Sequence, residues 1–84
     1  MKYVVMDLAD NDYYGKELIN GIDIYSSWQI DPKNNNVVLF DSLKEANEFI
    51  KKFEGQLRQY EYWLIILSLE EAIKLYEIYN SGYN

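Results

Sequence analysis

The side chains in this chain that come nearest to a chemical motif are the acids near its N-terminus. Asp10 to Gly21 reads DNDYYGKELING, twelve residues that open Asp-x-Asp and carry glycine at the sixth place. A calcium loop flanked by two helices shares that length, opening and glycine, but it also needs oxygen ligands at places 5 and 12, the last a bidentate glutamate. Here place 5 is Tyr14 and place 12 is Gly21, which has no carboxylate. The flanking stretches read as strands, so the run is not taken as a calcium loop. Asp7, Asp10 and Asp12 are near one another in sequence, as a magnesium site or a carboxylate pair for glycoside hydrolysis would require. Spacing along the chain does not bring the three together, and no metal, cofactor or catalytic residue is expected.

Composition points the same way. The 84 residues include no cysteine and no histidine. Disulfides, thiolate ligands and cysteine nucleophiles are therefore excluded, as are zinc sites of Cys and His. The usual general base near neutral pH is missing too. A non-enzymatic protein is the expectation. The formal net charge is −6, from 14 acids and 8 bases. Such a surface is repelled by phosphate backbones, which argues against direct nucleic-acid binding. It favours encounter with a basic partner. The longest apolar run, WLIILSL (Trp63–Leu69), is far shorter than the roughly 18 residues of a membrane span. The start, MKYVVMDLAD, lacks the basic and long apolar regions of a secretory signal. A cytoplasmic protein of one domain, residues 1–84, is expected.

Several elements must position these residues. Lys2–Leu8 is rich in β-formers and apolar on both alternating sets, which predicts a strand inside a sheet. Ala9–Gly21 has Asp, Asn and Gly at both ends and is expected to be a surface loop. In Ile22–Ile30, the residues Ile22, Ile24, Trp28 and Ile30 alternate with Asp23, Tyr25, Ser27 and Gln29. That is the pattern of a half-buried strand, with the isoleucines and Trp28 facing the core. DPKNNN (Asp31–Asn36) is a turn, and Val37–Phe40 is expected to return beside the preceding strand as a hairpin. Trp63 begins another core strand.

The second half holds two related phrases, SLKEA at Ser42–Ala46 and SLEEA at Ser68–Ala72. Each is a capping box, in which serine caps the helix start and the glutamate three residues on reaches back to the serine amide. Helices are expected at about 43–54 and 69–80. Leu43, Ala46, Phe49, Ile50 and Phe53 form the buried stripe of the first, and Leu69, Ala72, Ile73, Tyr76 and Tyr79 that of the second. Gly55 and Gly82 follow as helix stops. The fold class is α+β: a small sheet of about four strands in the order β-β-β-α-β-α, with two helices packed on one face. The strand–helix–strand step favours a parallel crossover.

Nine tyrosines in so short a chain suggest a recognition surface, because tyrosine gives large contact area at low entropic cost. Tyr13, Tyr14, Tyr25 and Tyr83 are expected to be exposed. The candidate partner-binding set is Asp10, Asp12, Tyr13, Tyr14, Glu17, Asp23 and Tyr25, with the tyrosines as anchors and the acids facing a basic partner.

LFDSLKEANEFIKKFE (Leu39–Glu54), following a stretch that contains Trp28, resembles a pattern in small phage and prophage proteins of low-GC Gram-positive bacteria. The resemblance covers about half the chain. As a whole the chain also resembles the class of phage anti-defence proteins, anti-CRISPR inhibitors among them. That class shares no motif, so the resemblance implies a mode of action and assigns no residue. The mode is occupation of a basic groove, or of a partner interface, on a larger host protein that handles nucleic acid. Two alternatives come from other classes: a module that binds or sequesters a small ligand such as a nucleotide signal, and a structural or regulatory homodimer.

Overall fold

The computed structural model describes residues 1–8, 11–52 and 64–81. Trp63, Phe53, Gly55, Gly82, Tyr83 and Asp10 lie outside the described residues. The elements are β1 (Tyr3–Asp7), β2 (Asp12–Ile19), β3 (Ile22–Gln29), α1 (Leu43–Lys52), β4 (Leu64–Ser68) and α2 (Leu69–Ser81). The strands form one antiparallel sheet in the order β3-β2-β1-β4. The α+β class, the strand number and the order β-β-β-α-β-α are those expected.

The strands themselves are not all the expected ones. Ala9–Gly21 is not a loop, because most of it is β2. Asn20 and Gly21 both have positive φ, 51° and 77°, between the paired residues Ile19 and Ile22. This is the two-residue type I′ turn, which Asn-Gly between alternating apolar residues encodes directly. β3 therefore pairs with β2, and Val37–Phe40 is not its hairpin partner. Pairing between β1 and β2 lasts only from Met6–Tyr13 to Asp7–Asp12. The two strands then diverge, and residues 36–40 fill the fork. Lys16 N–H donates to Asn36 O (2.8 Å) and Val38 N–H to Tyr14 O (3.0 Å). On the other side Tyr3 and Phe40 exchange both backbone bonds, at 2.8 and 2.9 Å. The expected turn before this segment is present: Asp31 and Asn34 side chains accept from the Lys33 and Asn36 amides, both at 2.9 Å. Gly15 lies where the segment comes closest. A Cβ there would meet Asn36 O at 3.2 Å and Gln29 Cγ at 3.0 Å.

Val37 bridges β2 at Gly15 and Phe40 bridges β1 at Tyr3, each as an isolated antiparallel bridge. The expected parallel crossover is therefore not seen among the described residues: β4 pairs antiparallel with β1.

The helices occupy opposite faces of the sheet, not one. Alternate residues of β1 show it. Val4 and Met6 pack with Tyr13, Val37 and Ala72 of α2. Val5 packs with Tyr14, Phe40 and α1 residues Ala46 and Phe49. Both Val4 and Val5 are fully buried. A strand that is apolar on both alternating sets needs a cover on each side. Phe49 is the hub of the α1 side, with ring centroids 5.1 Å from Phe40, 5.3 Å from Tyr25 and 5.9 Å from Tyr14. Such tilted and edge-on contacts each add about 1 kcal/mol beyond the area buried.

Both serines cap their helices, and the reciprocal box closes at α2. Glu71 N–H donates to Ser68 Oγ (3.1 Å), and Ser68 N–H donates to Glu71 Oε1 (3.0 Å). At α1, Glu45 N–H donates to Ser42 Oγ (3.1 Å), but the Glu45 carboxylate accepts from Asp41 N–H (3.0 Å) rather than from the serine amide. The Lys2 ammonium pairs with the Asp41 carboxylate and ties the start of β1 to the start of α1. Leu43 and Tyr79, expected in the buried stripes, are exposed. No helix among the described residues is long and apolar enough to cross a membrane.

Candidate binding surface

The β2–β3 hairpin outruns the core. Both helices pack on β1 and β4, and β2 is eight residues long against five in β1. Every residue from Lys16 to Ile24 is exposed. Cross-strand register assigns the side chains to faces. Ile19 pairs with Ile22 and Glu17 with Ile24, so three isoleucines and one acid share a face. Their fractional exposures are 46% (Ile19), 62% (Ile22) and 44% (Ile24). Leu18 pairs with Asp23 and Lys16 with Tyr25 on the other face, the α1 side, where Tyr25 leans on Phe49.

This overturns the expected core face of β3. Ile22, Ile24, Trp28 and Ile30 are all exposed. Period two correctly marked a strand, but the helices cover a different part of the sheet. Trp28 lies at an irregularity: Tyr13 pairs with Gln29 and Tyr14 with Ser27, which leaves Trp28 as the extra residue of a bulge.

The seven expected partner-binding residues do not form one patch. Tyr13 and Tyr14 are 2% and 3% exposed and belong to the two cores, so neither is a surface anchor. The Tyr13 hydroxyl donates to Ala72 O at 3.4 Å. Burial, with a smaller contribution from Tyr79, raises its pKa above the usual tyrosine value. Tyr25 is half-buried. Asp12 opens β2, five residues from Glu17, or about 17 Å along a strand. Glu17 and Asp23 are both exposed on the hairpin, but on opposite faces.

Asp12 stands opposite Asp7 in the sheet. Asp7 is buried and its carboxylate accepts from Ser27 Oγ at 3.1 Å. Among the described residues no group of three or more acids is gathered to hold a metal ion. The Asp12–Ile19 part of the calcium-like run is strand, which cannot wrap its carboxylates around an ion as a loop does.

An open cleft of about 480 Å³ lies on the α1 side of the hairpin, lined by Lys16, Leu18, Asp23 and residues 35–39. Lys16 is the one cation in that lining. Sequence reasoning missed the hairpin tip as a surface. The Asn20–Gly21 dipeptide was the signal that could have revealed it.

No family model, curated protein or solved structure matches this chain.

Proposed function

We propose that the chain is a small, non-enzymatic protein-binding module that docks through its β2–β3 hairpin on a basic surface of a larger protein. One observation carries the reading: the hairpin projects past both cores with Ile19, Ile22 and Ile24 uncovered beside Glu17. Contiguous exposed apolar side chains rimmed by charge are characteristic of interaction surfaces. The net charge of −6 favours a basic partner and speeds encounter with it. The anti-defence resemblance adds the mode: inhibition of a host protein that handles nucleic acid, by occupying its basic groove.

The test is affinity capture from nuclease-treated host lysate, run in parallel with the wild type, the Ile22→Asp/Ile24→Asp variant and the Glu17→Lys/Asp23→Lys variant. A stoichiometric partner is expected with the wild type. The isoleucine variant should lose it, and the charge variant should bind more weakly and with less salt dependence. Equal capture by all three, or no partner, removes the reading.

The cleft beside Lys16 supports a second reading, a small anionic ligand such as a nucleotide. A thermal shift with a nucleotide panel that Lys16→Ala abolishes would favour it. No shift across the panel would count against it.

A further inference from the structure

Four polar side chains line the cleft beside the hairpin: Lys16 of β2, Asp23 of β3, and Asn35 and Asn36 of the preceding turn. None of the four side chains has a hydrogen-bond or ion-pair partner among the described residues. Lys16 pairs across the ladder with Tyr25 and Leu18 with Asp23, so Lys16 and Asp23 are diagonal neighbours on one face. Such neighbours are rooted about 7 Å apart. Lys2 with Asp41 and Lys74 with Glu70 form ion pairs, but Lys16 and Asp23 do not. The rest of the wall is apolar, from Leu18 and residues 37–39. An apolar wall with a few polar groups converging on it is the general form of a small-molecule site, and about 480 Å³ is an ordinary volume for one.

These groups set what a ligand must offer. Lys16 is the one cation in the lining, and in a chain of net charge −6 it balances a single phosphate rather than a triphosphate. The Asp23 carboxylate only accepts, so the ligand must turn N–H donors toward it and keep its phosphate away. Two carboxylate oxygens are met best by two adjacent donors. Among the common nucleobases guanine alone has them, N1–H beside the N2 amino group. Adenine and cytosine each set a ring acceptor beside the amino group, and uracil has its N–H between two carbonyls. Next along the guanine edge is O6, an acceptor to which an asparagine amide donates. Leu18 and residues 37–39 give a flat base an apolar surface to lie on. The flexible four-carbon stem of Lys16 lets its ammonium follow the phosphate.

We infer, on the small-ligand reading of this cleft, that it takes a guanine nucleotide carrying one phosphate. Asp23 accepts from N1–H and the N2 amino group, and Lys16 holds the phosphate. Ile19, Ile22 and Ile24 face the other side of the hairpin and stay open, so the ligand leaves the docking face free.

The test is backbone amide NMR of the full chain, titrated with GMP, AMP, CMP, UMP, GTP and guanosine, each to about 10 mM so that weak binding is read. GMP should bind at least about tenfold more tightly than AMP, CMP or UMP, the discrimination that one bidentate base contact provides. The shifts should centre on Lys16, Leu18, Asp23 and residues 35–39. Guanosine should bind more weakly than GMP, and GTP no more tightly. Asp23→Asn should bring GMP down to the level of AMP, and Lys16→Ala to the level of guanosine. Both side chains are exposed, and the amide spectrum of each variant reports its fold directly. AMP bound as well as GMP, or an Asp23→Asn variant that still prefers GMP, overturns the guanine assignment and leaves the small-anion reading standing. GTP bound more tightly than GMP overturns the single phosphate. No shift with any of these ligands removes both the inference and the reading beneath it.

Discussion

Tyr13 and Tyr14 are adjacent in sequence and belong to different cores, which shows how little residue type says about exposure. Tyrosine suits an interface or an interior equally, because its ring is apolar and its hydroxyl needs only one partner. Burial holds Tyr13 neutral, and this gives a pH dependence whose sign is fixed. Its folded pKa is raised, so the stability it contributes is complete below about pH 10 and is lost as pH rises through the folded value. Tyr13→Phe should cost less than about 1 kcal/mol at neutral pH, since the hydroxyl's bond to Ala72 is long. It should also flatten the loss of stability above pH 10. Urea melts of both proteins at pH 8 and pH 11 check this, and identical alkaline losses would rule it out.

At the scale of elements, the helix starts were fully legible in sequence. Ser42 and Ser68 cap as their phrases require, because a capping box is satisfied within five residues and needs nothing from the rest of the fold. The hydrogen bond from the Ser68 backbone amide, followed by the bonding to its side chain, holds the Glu71 carboxyl below its ordinary pKa. The stabilisation from Glu71 is therefore present above about pH 4.5 and fades as pH falls through the folded value. Ser68→Ala should lower stability by about 1 kcal/mol at neutral pH. Glu71→Gln should be less stable than the wild type at pH 7, and the gap should close as pH falls below 4.5 through the folded value, as read by thermal melts. A gap that persists in acid would show that the carboxylate is not the source. The β2–β3 hairpin was as local as the helix caps, with its turn encoded by Asn20 and Gly21. It was hidden because Asp, Asn and Gly at both ends of Ala9–Gly21 read as one surface loop, when only Asn20 and Gly21 form the hairpin turn.

The whole molecule is organised by β1, which carries one core on each side. Val4 and Val5 face opposite helices and are both fully buried. If the two cores are one cooperative unit, Val4→Ala and Val5→Ala should each lower stability by about 2 kcal/mol within a single unfolding transition. The double variant should lose close to the sum. Urea unfolding followed by tyrosine fluorescence and by circular dichroism tests this. Two separated transitions in either single variant would mean that the cores melt independently. The sequence by itself determined the class of fold, the two helix starts, the turn at Asp31–Asn36 and the absence of thiol and imidazole chemistry. Each of these depends on residues close together in the chain or on composition. Only the tertiary structure decided that residues 36–40 leave β3 for the fork between β1 and β2, and that the helices cover β1 and β4 from both sides. It also decided that the isoleucines of β3 face outward. Period two specifies that a strand has two faces, but which face is buried depends on where distant elements dock, and that is set by packing across the whole chain.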